Sequence, residues 1–441
     1  MLHYWPLPHS HGLQYHQQIQ KRTILKKEKI MDILFIDACV RKDSRTRSLA
    51  EYVLSPRIIS CGNWMLPPVI TLNSDETLDF SFDAMSHYSR TYTYHIDHCD
   101  ADWNKSDLLY SEYMDGFDGE RLEMGTHSQN TTYEYVHYSL TFPNGNNRPK
   151  LSGNYMLTIS HDNIPDVVFR FCVCEPAAVI KPALTDVTDI DTRDGHQQVT
   201  AKVDTRDLSC FDAMEELKLT VMQNLRFDNA ARTVSPDFIE GGTVSWQHCE
   251  PMVFDAGNGF RRFEVTDVYA NAQNVARINY MEPYYHVYLN SDNIRKSYYY
   301  DSDHNGRYMV RSTHNGVTDS DTEADYVFVH FELYSELLEG GTPYVFYQYD
   351  GAGFSMRQQM EFRGTRPHCY AATILMKMGS YDYQYIWVPD GKNRGETGKI
   401  EGNWSSTPNE YLLLLYQHKP GERYDRLVGC TTIPQSQHPS Y

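Results

Sequence analysis

The 441-residue sequence lacks the patterns that define several common protein classes. The longest apolar runs, such as Ile33–Ile36 and Leu412–Leu415, are far shorter than the roughly 18 residues that a membrane-spanning helix needs. No Cys-x2-Cys pair occurs, so a structural zinc site lacks its usual ligand spacing. The Gly-x-Ser-x-Gly elbow, the phosphate-binding loop and the His-Glu-x-x-His motif are missing too. The sequence therefore predicts no catalytic residues, no metal site and no transmembrane segment.

Positive charge is also scarce, and it is unevenly distributed. The net charge is −18. Residues 1–55 carry nine basic and five acidic residues, whereas the rest of the chain carries 31 basic and 53 acidic residues. An acidic body of this kind repels nucleic acid and anionic lipid surfaces. We therefore expect no nucleic-acid partner, and we interpret the acidity as serving either solubility or contact with a basic partner surface.

The nine cysteines are an odd number, so they cannot all pair within one chain. Cys172 and Cys174 are two residues apart on a predicted strand, and a direct link between them would be strained. The cysteine count alone leaves the pairing and the redox compartment open.

What the sequence has in abundance is strand-forming residues, including 34 tyrosines. From Val69 onward, short alternating runs such as Leu78–Phe82 and Tyr92–Ile96 are separated by turn dipeptides such as Asn144-Gly145. Helical periodicity is rare. We predict a mainly β fold of tandem immunoglobulin-like β-sandwich domains, preceded by a short βα segment at the N-terminus.

Composition shifts suggest where these domains begin and end. Glu175-Pro176 and Lys181-Pro182 bracket a linker, and a polar stretch covers Asp301–Asp325. The predicted division is a leader with a βα fragment, an N-terminal β-sandwich, a middle β domain and a C-terminal β-sandwich, at residues 1–55, 56–178, 179–321 and 322–441.

A block of histidine, cysteine, aspartate and aromatic residues between Tyr92 and Phe117 resembles a metal or catalytic cluster. Because side chains alternate along a strand, His95, Asp97 and Cys99 would share one face, about 7 Å apart in a line. That spacing is too wide for one tetrahedral ion. The favoured interpretation is structural: a strand that ends in a turn, with Trp103 covering the corner.

A second acidic cluster, Asp319, Asp321, Glu323 and Asp325, mimics a calcium loop. A calcium loop has glycine at its sixth position and glutamate at its twelfth, where this sequence has Ala324 and His330. We therefore interpret the stretch as a solvated acidic connector, with a partner surface as the alternative.

The Tyr92–Phe117 block resembles the type IX secretion plug family, proteins of Gram-negative bacteria that close an outer-membrane barrel translocon from the periplasmic side. Six further blocks follow in the family's order, and the resemblance covers residues 63–433: Leu151–Tyr155, Gln223–Asn229, Tyr285–Tyr288, Asp303–Tyr308, Asp319–Tyr326 and Arg423–Gly429. In this chain the hallmark positions, for which the resemblance implies a structural role, are His98, Cys99, Asp100, Asp102, Trp103, Asp107, Tyr113, Asp115, Gly116 and Phe117.

The resemblance implies a non-enzymatic plug without cofactors, whose partner is the outer-membrane barrel translocon. It also implies a periplasmic, outer-membrane-associated location. The N-terminus has no signal-peptide pattern, so the chain as written would stay in the cytoplasm. Aromatic side chains are the expected anchors for the partner: Trp103, Tyr110, Tyr113 and Phe117.

The segment Met31–Leu54 reads as a strand, a polar loop and the start of a helix. It resembles the opening βα unit of flavodoxin-like NAD(P)H-dependent oxidoreductases, in which Arg41, Ser44 and Thr46 would contact a flavin phosphate. One βα unit cannot enclose a flavin, so we favour a gene junction between Tyr52 and Gly62. The alternatives are an ordinary tail with a packing helix, and a flavin oxidoreductase fragment.

The C-terminal part has a resemblance of its own, to immunoglobulin-like glycogen-binding modules. It rests on Tyr344–Tyr349, Tyr370–Met376 and Ser380–Gly391. Those modules stack sugars on exposed tryptophan rings, but Phe354 stands at one expected tryptophan position, and Trp387 lies in mid-strand, as a core residue would. Carbohydrate binding is therefore an alternative function for this part.

Overall fold

The computed structural model describes residues 53–434 except 271, 301, 315, 349–353 and 365. Nearly all regular structure in this part is β strand, which confirms the predicted mainly β, β-sandwich class. The predicted flavin contacts Arg41, Ser44 and Thr46 lie outside the described residues. No helix within the described part is long and apolar enough to cross a membrane.

Within the described residues, the first elements are eleven strands and one helical turn: β1 (Val53–Ser60), β2 (Val69–Thr71), β3 (Leu78–Ala84), β4 (Thr93–Cys99), α1 (Tyr110–Tyr113), β5 (Met114–Gly116), β6 (Glu120–Arg121), β7 (Thr126–His127), β8 (Val136–Phe142), β9 (Asn147–Pro149), β10 (Gly153–His161) and β11 (Ile164–Cys174). Seven strands follow, with a second helical turn and a 3-10 turn: β12 (Ile180–Thr185), β13 (His196–Asp204), α2 (Ala213–Glu216), β14 (Leu217–Gln223), β15 (Ala231–Val234), β16 (Phe238–Glu240), β17 (Thr243–Trp246), the 3-10 turn Glu250–Met252 and β18 (Val253–Asp255).

The remaining described elements are twelve strands and a third helical turn: β19 (Arg261–Val265), β20 (Val275–Met281), β21 (Tyr284–Leu289), β22 (Asp292–Asn293), β23 (Tyr308–Val310), α3 (Ser320–Glu323), β24 (Tyr326–Tyr334), β25 (Gly341–Phe346), β26 (Glu361–Arg363), β27 (Cys369–Lys377), β28 (Gly379–Pro389), β29 (Tyr411–Gln417) and β30 (Arg426–Ile433).

The first unit is a sandwich of two sheets with the strand orders β1-β3-β8-β7 and β2-β11-β10-β4-β6. Alternating apolar residues of both sheets meet in one core, in which Phe80, Phe171 and Tyr155 are in ring contact. β1 already begins at Val53 and pairs with β3. Val53 and Leu54, which the sequence placed at the end of the N-terminal βα segment, are therefore part of this sandwich.

The second unit is closed by the C-terminal strands. Its sheets have the orders β12-β13-β17-β16, with β18 beside β13, and β15-β14-β29-β30. The third unit forms from the intervening chain and also has two sheets. One has the order β19-β28-β23, with β25 paired to β28. The other has the order β20-β21-β24-β27-β26, with β22 paired to β24. The third unit is thus inserted into the second. The strands therefore divide between these two units differently from the predicted domains at residues 179–321 and 322–441.

Strand β29 explains this arrangement. All seven of its residues are buried, because it lies between two apolar clusters. Leu413 and Leu415 face the core of the second unit, while Leu412 and Leu414 face a cluster that includes Cys172 of the first unit. A strand that is apolar on both faces must be covered on both faces, so β29 ties the second unit to the first.

A buried polar network joins the first unit to the third. The Lys377 ammonium lies 2.5 Å from the Asp83 carboxylate, and each residue is about 1% exposed. The Tyr326 hydroxyl donates to the same carboxylate at 2.7 Å, and the His137 ring contacts its other oxygen at 2.7 Å. Burial acts to raise the pKa of Asp83, but the Lys377 ammonium and the His137 ring outweigh it and hold that pKa below its usual value.

The acidic stretch at residues 319–325 is part of the same joint, which corrects its interpretation as a solvated connector. Asp321 forms an ion pair with Arg57 of β1, and its backbone carbonyl accepts a hydrogen bond from Lys377 at 2.6 Å. The Asp325 carboxylate accepts from the backbone N–H of Thr132 at 2.5 Å. These acidic residues are spread along an interface and do not converge on one ion.

We predict that Lys377→Met lowers the free energy of unfolding by about 3–5 kcal/mol, because it leaves the Asp83 carboxylate buried without its cation. The double variant Asp83→Asn/Lys377→Met should lose less than the sum of the two single variants. Urea unfolding measures the free energy of unfolding of the two single variants and the double variant. The matched control is Lys105→Met, which removes an exposed pair with Asp97 and should cost less than about 1 kcal/mol. Equal losses in Lys377→Met and Lys105→Met would contradict the assigned role of the buried pair.

Candidate functional site

The block that the sequence singled out begins on β4, whose residues alternate between two faces. Tyr94, Ile96 and His98 point into the first unit. The His98 ring is fully buried, with its Nδ1 3.0 Å from the Ser106 hydroxyl and its Nε2 3.1 Å from the Ser152 carbonyl. Burial lowers the pKa of His98, so the ring is held neutral. Its arrangement is that of a structural histidine.

The opposite face of β4 does not gather into one site. His95 Nδ1 pairs with Asp118 at 2.9 Å, and Asp97 pairs with Lys105 at 2.5 Å. Burial raises the pKa of the Cys99 thiol to about 12. Within the described residues, no group of three or more histidine, cysteine or acidic side chains is placed to hold a metal ion.

The turn after β4 is organised by Asp100. Its Oδ1 accepts hydrogen bonds from the backbone N–H groups of Asp102 at 2.9 Å and Asn104 at 2.8 Å. This places Trp103 at φ 69°, a conformation that is unusual for a bulky residue. The Trp103 ring packs edge-on against Phe227 of the second unit, with ring centroids 5.6 Å apart. The corner therefore contacts a neighbouring unit.

The C-terminal resemblance block, Arg423–Gly429, forms hydrogen bonds and an ion pair with the Tyr92–Phe117 block. The backbone N–H of Ala101 donates to the Asp425 carboxylate at 2.8 Å. Arg423 donates to the Asp107 carbonyl at 3.0 Å and forms an ion pair with Glu112. Two blocks that lie far apart in sequence are thus brought together.

The predicted partner anchors have different surroundings. Tyr113 is 3% exposed and donates its hydroxyl to the Ile96 carbonyl at 3.0 Å, so its ring is not accessible to a partner. Tyr110 is half-buried and donates to Asn147 at 2.7 Å. Trp103 is half-buried against the second unit. Phe117, by contrast, is 76% exposed.

Phe117 stands on a rigid loop. Gly116 has φ 136°, and a side chain there would place its Cβ only 1.9 Å from the Asn146 carbonyl oxygen. The Phe117 carbonyl oxygen lies 3.2 Å from the Tyr110 hydroxyl, and Leu109, the residue before Tyr110, is 70% exposed. We call Leu109, Asp115 and Phe117 the exposed tip. The sequence did not indicate Leu109, because nothing in its pattern separates an exposed leucine from a core one.

A cavity of about 180 Å³ lies where the three units meet. Its walls come from several of the resemblance blocks, namely those that contain Trp103, Phe227 and Tyr308. The Arg226 guanidinium lies 2.6 Å from the Asp228 carboxylate and 5.5 Å from the Phe346 ring centroid. Three of the resemblance blocks therefore meet at the joint between the three units.

The fold and these segments together define a multi-unit β-sandwich protein whose distinctive residues organise loops and joints. The chain belongs to one family with a hypothetical protein from Parabacteroides merdae ATCC 43184. The two sequences are 34% identical. The 2.30 Å crystal structure of that protein matches this structure with a TM-score of 0.83, over 86% of this chain and 96% of that chain. Residues 53–175 match the family model of the type 9 secretion system plug protein 1st domain, which confirms the resemblance over this part.

Two other comparisons add little. No curated protein matches the chain. The C-terminal domain of the Streptococcus pyogenes antigen I/II-family protein AspA covers 86% of this chain and 98% of its own, but at 6% identity and a TM-score of 0.14 it supports no argument.

The side chains considered for carbohydrate binding do not form a stacking platform. Trp387 is 5% exposed and belongs to the core of the third unit, and the Lys399 ammonium lies 2.8 Å from its ring centroid. Phe354 packs against Tyr344, with centroids 5.2 Å apart.

We predict that the free energy of unfolding of His98→Gln depends less on pH than that of the wild type. Below the ordinary histidine pKa of about 6.5, the unfolded chain gains a proton that the buried ring resists, so the wild type loses stability as the pH falls. The stability advantage of the wild type over His98→Gln should shrink by about 1 kcal/mol between pH 7.5 and 5.5. Urea unfolding at both pH values measures it, and a constant difference would contradict the assignment.

Proposed function

We propose that the protein is a non-enzymatic plug of the type IX secretion system, located in the periplasm, that closes the mouth of the outer-membrane barrel translocon by docking onto it. The observation that carries this proposal is the match of residues 53–175 to the first domain of the plug proteins. The relative from Parabacteroides merdae shares the fold over 96% of its own length and 86% of this chain, so the described part beyond residue 175 has the same architecture as that relative.

The joints between units suit this role. A body that blocks a wide pore must resist deformation, and here the first unit is fixed to the third by the buried Asp83–Lys377 pair and to the second by the Trp103–Phe227 contact. The interfaces are internal, so they do not depend on a partner. The three units would occupy the pore as one block.

A plug also has to leave when cargo arrives, so its contact with the barrel must be reversible. Interfaces that dissociate are polar overall, with a few apolar anchors near their centre. The exposed tip fits that description, because it has two exposed apolar side chains, Leu109 and Phe117, and the exposed acidic residues Asp115 and Asp118 lie close to Phe117 in the sequence. We expect it to insert among basic and apolar side chains at the periplasmic mouth.

The decisive test is co-purification of the tagged protein with a large outer-membrane barrel from native membranes. We predict that Phe117→Asp weakens this association at least about tenfold, because it replaces an apolar anchor with a charge. The readout is the dissociation constant for the detergent-solubilised barrel complex. Unchanged folding by circular dichroism is required of every variant.

The matched control is Phe211→Asp, the same substitution at a phenylalanine of the second unit that is 96% exposed. It should bind like the wild type. Equal weakening by both variants would show a non-specific effect of charge, and wild-type binding by Phe117→Asp would remove the tip from the interface. Failure of the wild type itself to bind a barrel would overturn the proposed function.

A further inference from the structure

Two cysteines that are distant in sequence meet where the first and second units join. Cys174 ends β11 of the first unit and is 3% exposed. Cys430 lies on β30, at the edge of the sheet β15-β14-β29-β30, and is exposed. The chain between them contains the second unit and the inserted third unit.

Strand register places both cysteines at the same interface. Cys430 is the antiparallel partner of Leu414 on β29, so the two side chains share a face of the sheet. Leu414 packs in the apolar cluster that contains Cys174. The backbone continues this contact, because the N–H of Glu175 donates to the Leu427 carbonyl at 2.8 Å. Strand β30, which carries Cys430, also lies directly against β11, which ends at Cys174.

The neighbouring Cys172 is engaged elsewhere. Its Sγ lies 3.2 Å from Asn154 Oδ1, which also accepts a hydrogen bond from the Tyr416 hydroxyl at 2.7 Å. Burial raises the pKa of the Cys172 thiol. The neighbouring Cys174 thiol holds the pKa of Cys430 below its usual value, which favours Cys430 as the nucleophile of the group.

We propose that Cys174 and Cys430 are an oxidisable pair that forms a disulfide linking the first unit to the C-terminal strand. Both are free thiols in the structure. The oxidant is a disulfide of the glutathione type. The Cys430 thiolate attacks one of its sulfur atoms and releases one thiolate, forming a mixed disulfide. The released thiolate takes the Cys174 proton, and Cys174 then attacks Cys430 Sγ and expels the second thiolate. Two protein thiols become one disulfide, and one small disulfide becomes two thiols.

The link would close a very long loop, so it should restrict the unfolded chain strongly and raise the melting temperature by about 5 °C or more. The test incubates the purified full chain with glutathione disulfide, blocks the remaining thiols, and maps peptides by mass spectrometry. The expected product lacks the mass of two hydrogen atoms and contains a peptide that joins Cys174 to Cys430. The rise in melting temperature should reverse with a reductant.

Cys430→Ser and Cys174→Ser should each abolish the rise, whereas Cys61→Ser, an exposed cysteine of the first unit, should keep it. Peptide mapping of the wild type decides the matter even if a variant fails to fold. A stable glutathione adduct on Cys430, a link from Cys430 to Cys172, or no oxidation would each overturn the proposal. None of these outcomes depends on whether the protein binds a barrel.

Discussion

The buried pair of Asp83 and Lys377 is the interaction on which the relation of the first unit to the third depends. Both groups are almost fully removed from water, which is costly unless every hydrogen bond is satisfied. Here Tyr326, His137 and the Asp321 carbonyl complete the set. Such a network tolerates only one geometry, because a shift of the units would leave a buried charge unpaired. Apolar packing alone would allow more sliding.

The insertion of the third unit into the second adds a topological constraint to this electrostatic one. The chain leaves the second unit after β18, builds the third unit, and returns as β29 and β30. Because β29 pairs with β14 in the middle of a sheet, the second unit cannot close until the third has been synthesised. The first unit then contacts both. Strand β1 contacts α3 and β27 of the third unit, β8 contacts α3, and β11 contacts β30 of the second unit. The three units therefore support one another in space although they are separate sandwiches.

The local parts of this arrangement could be predicted from the sequence. The alternation of β4 placed His98 and Ile96 inside and His95 outside, as the structure has them. A period of two fixes the face on which a side chain lies but not the strand beside it, so the pairing of β29 with β14 had no sequence signal. The acidic stretch at residues 319–325 was misread for a similar reason. Carboxylates that form caps and ion pairs with a distant unit have the same composition as a solvated loop.

The distribution of charge and apolar surface bears on how such a body could be held and released. Its joints use buried charges and aromatic contacts that are fully satisfied within the chain, so nothing in them has to break when a partner leaves. The exposed tip, in contrast, offers two apolar side chains: Leu109, which precedes α1, and Phe117, which lies on a loop fixed by Gly116 and Tyr110. A preorganised anchor loses little conformational entropy on binding. In the proposed plug, a small anchor would also limit the free energy that cargo must overcome. A rigid body with a small preorganised anchor is the combination that the proposed reversible closure of a pore would require.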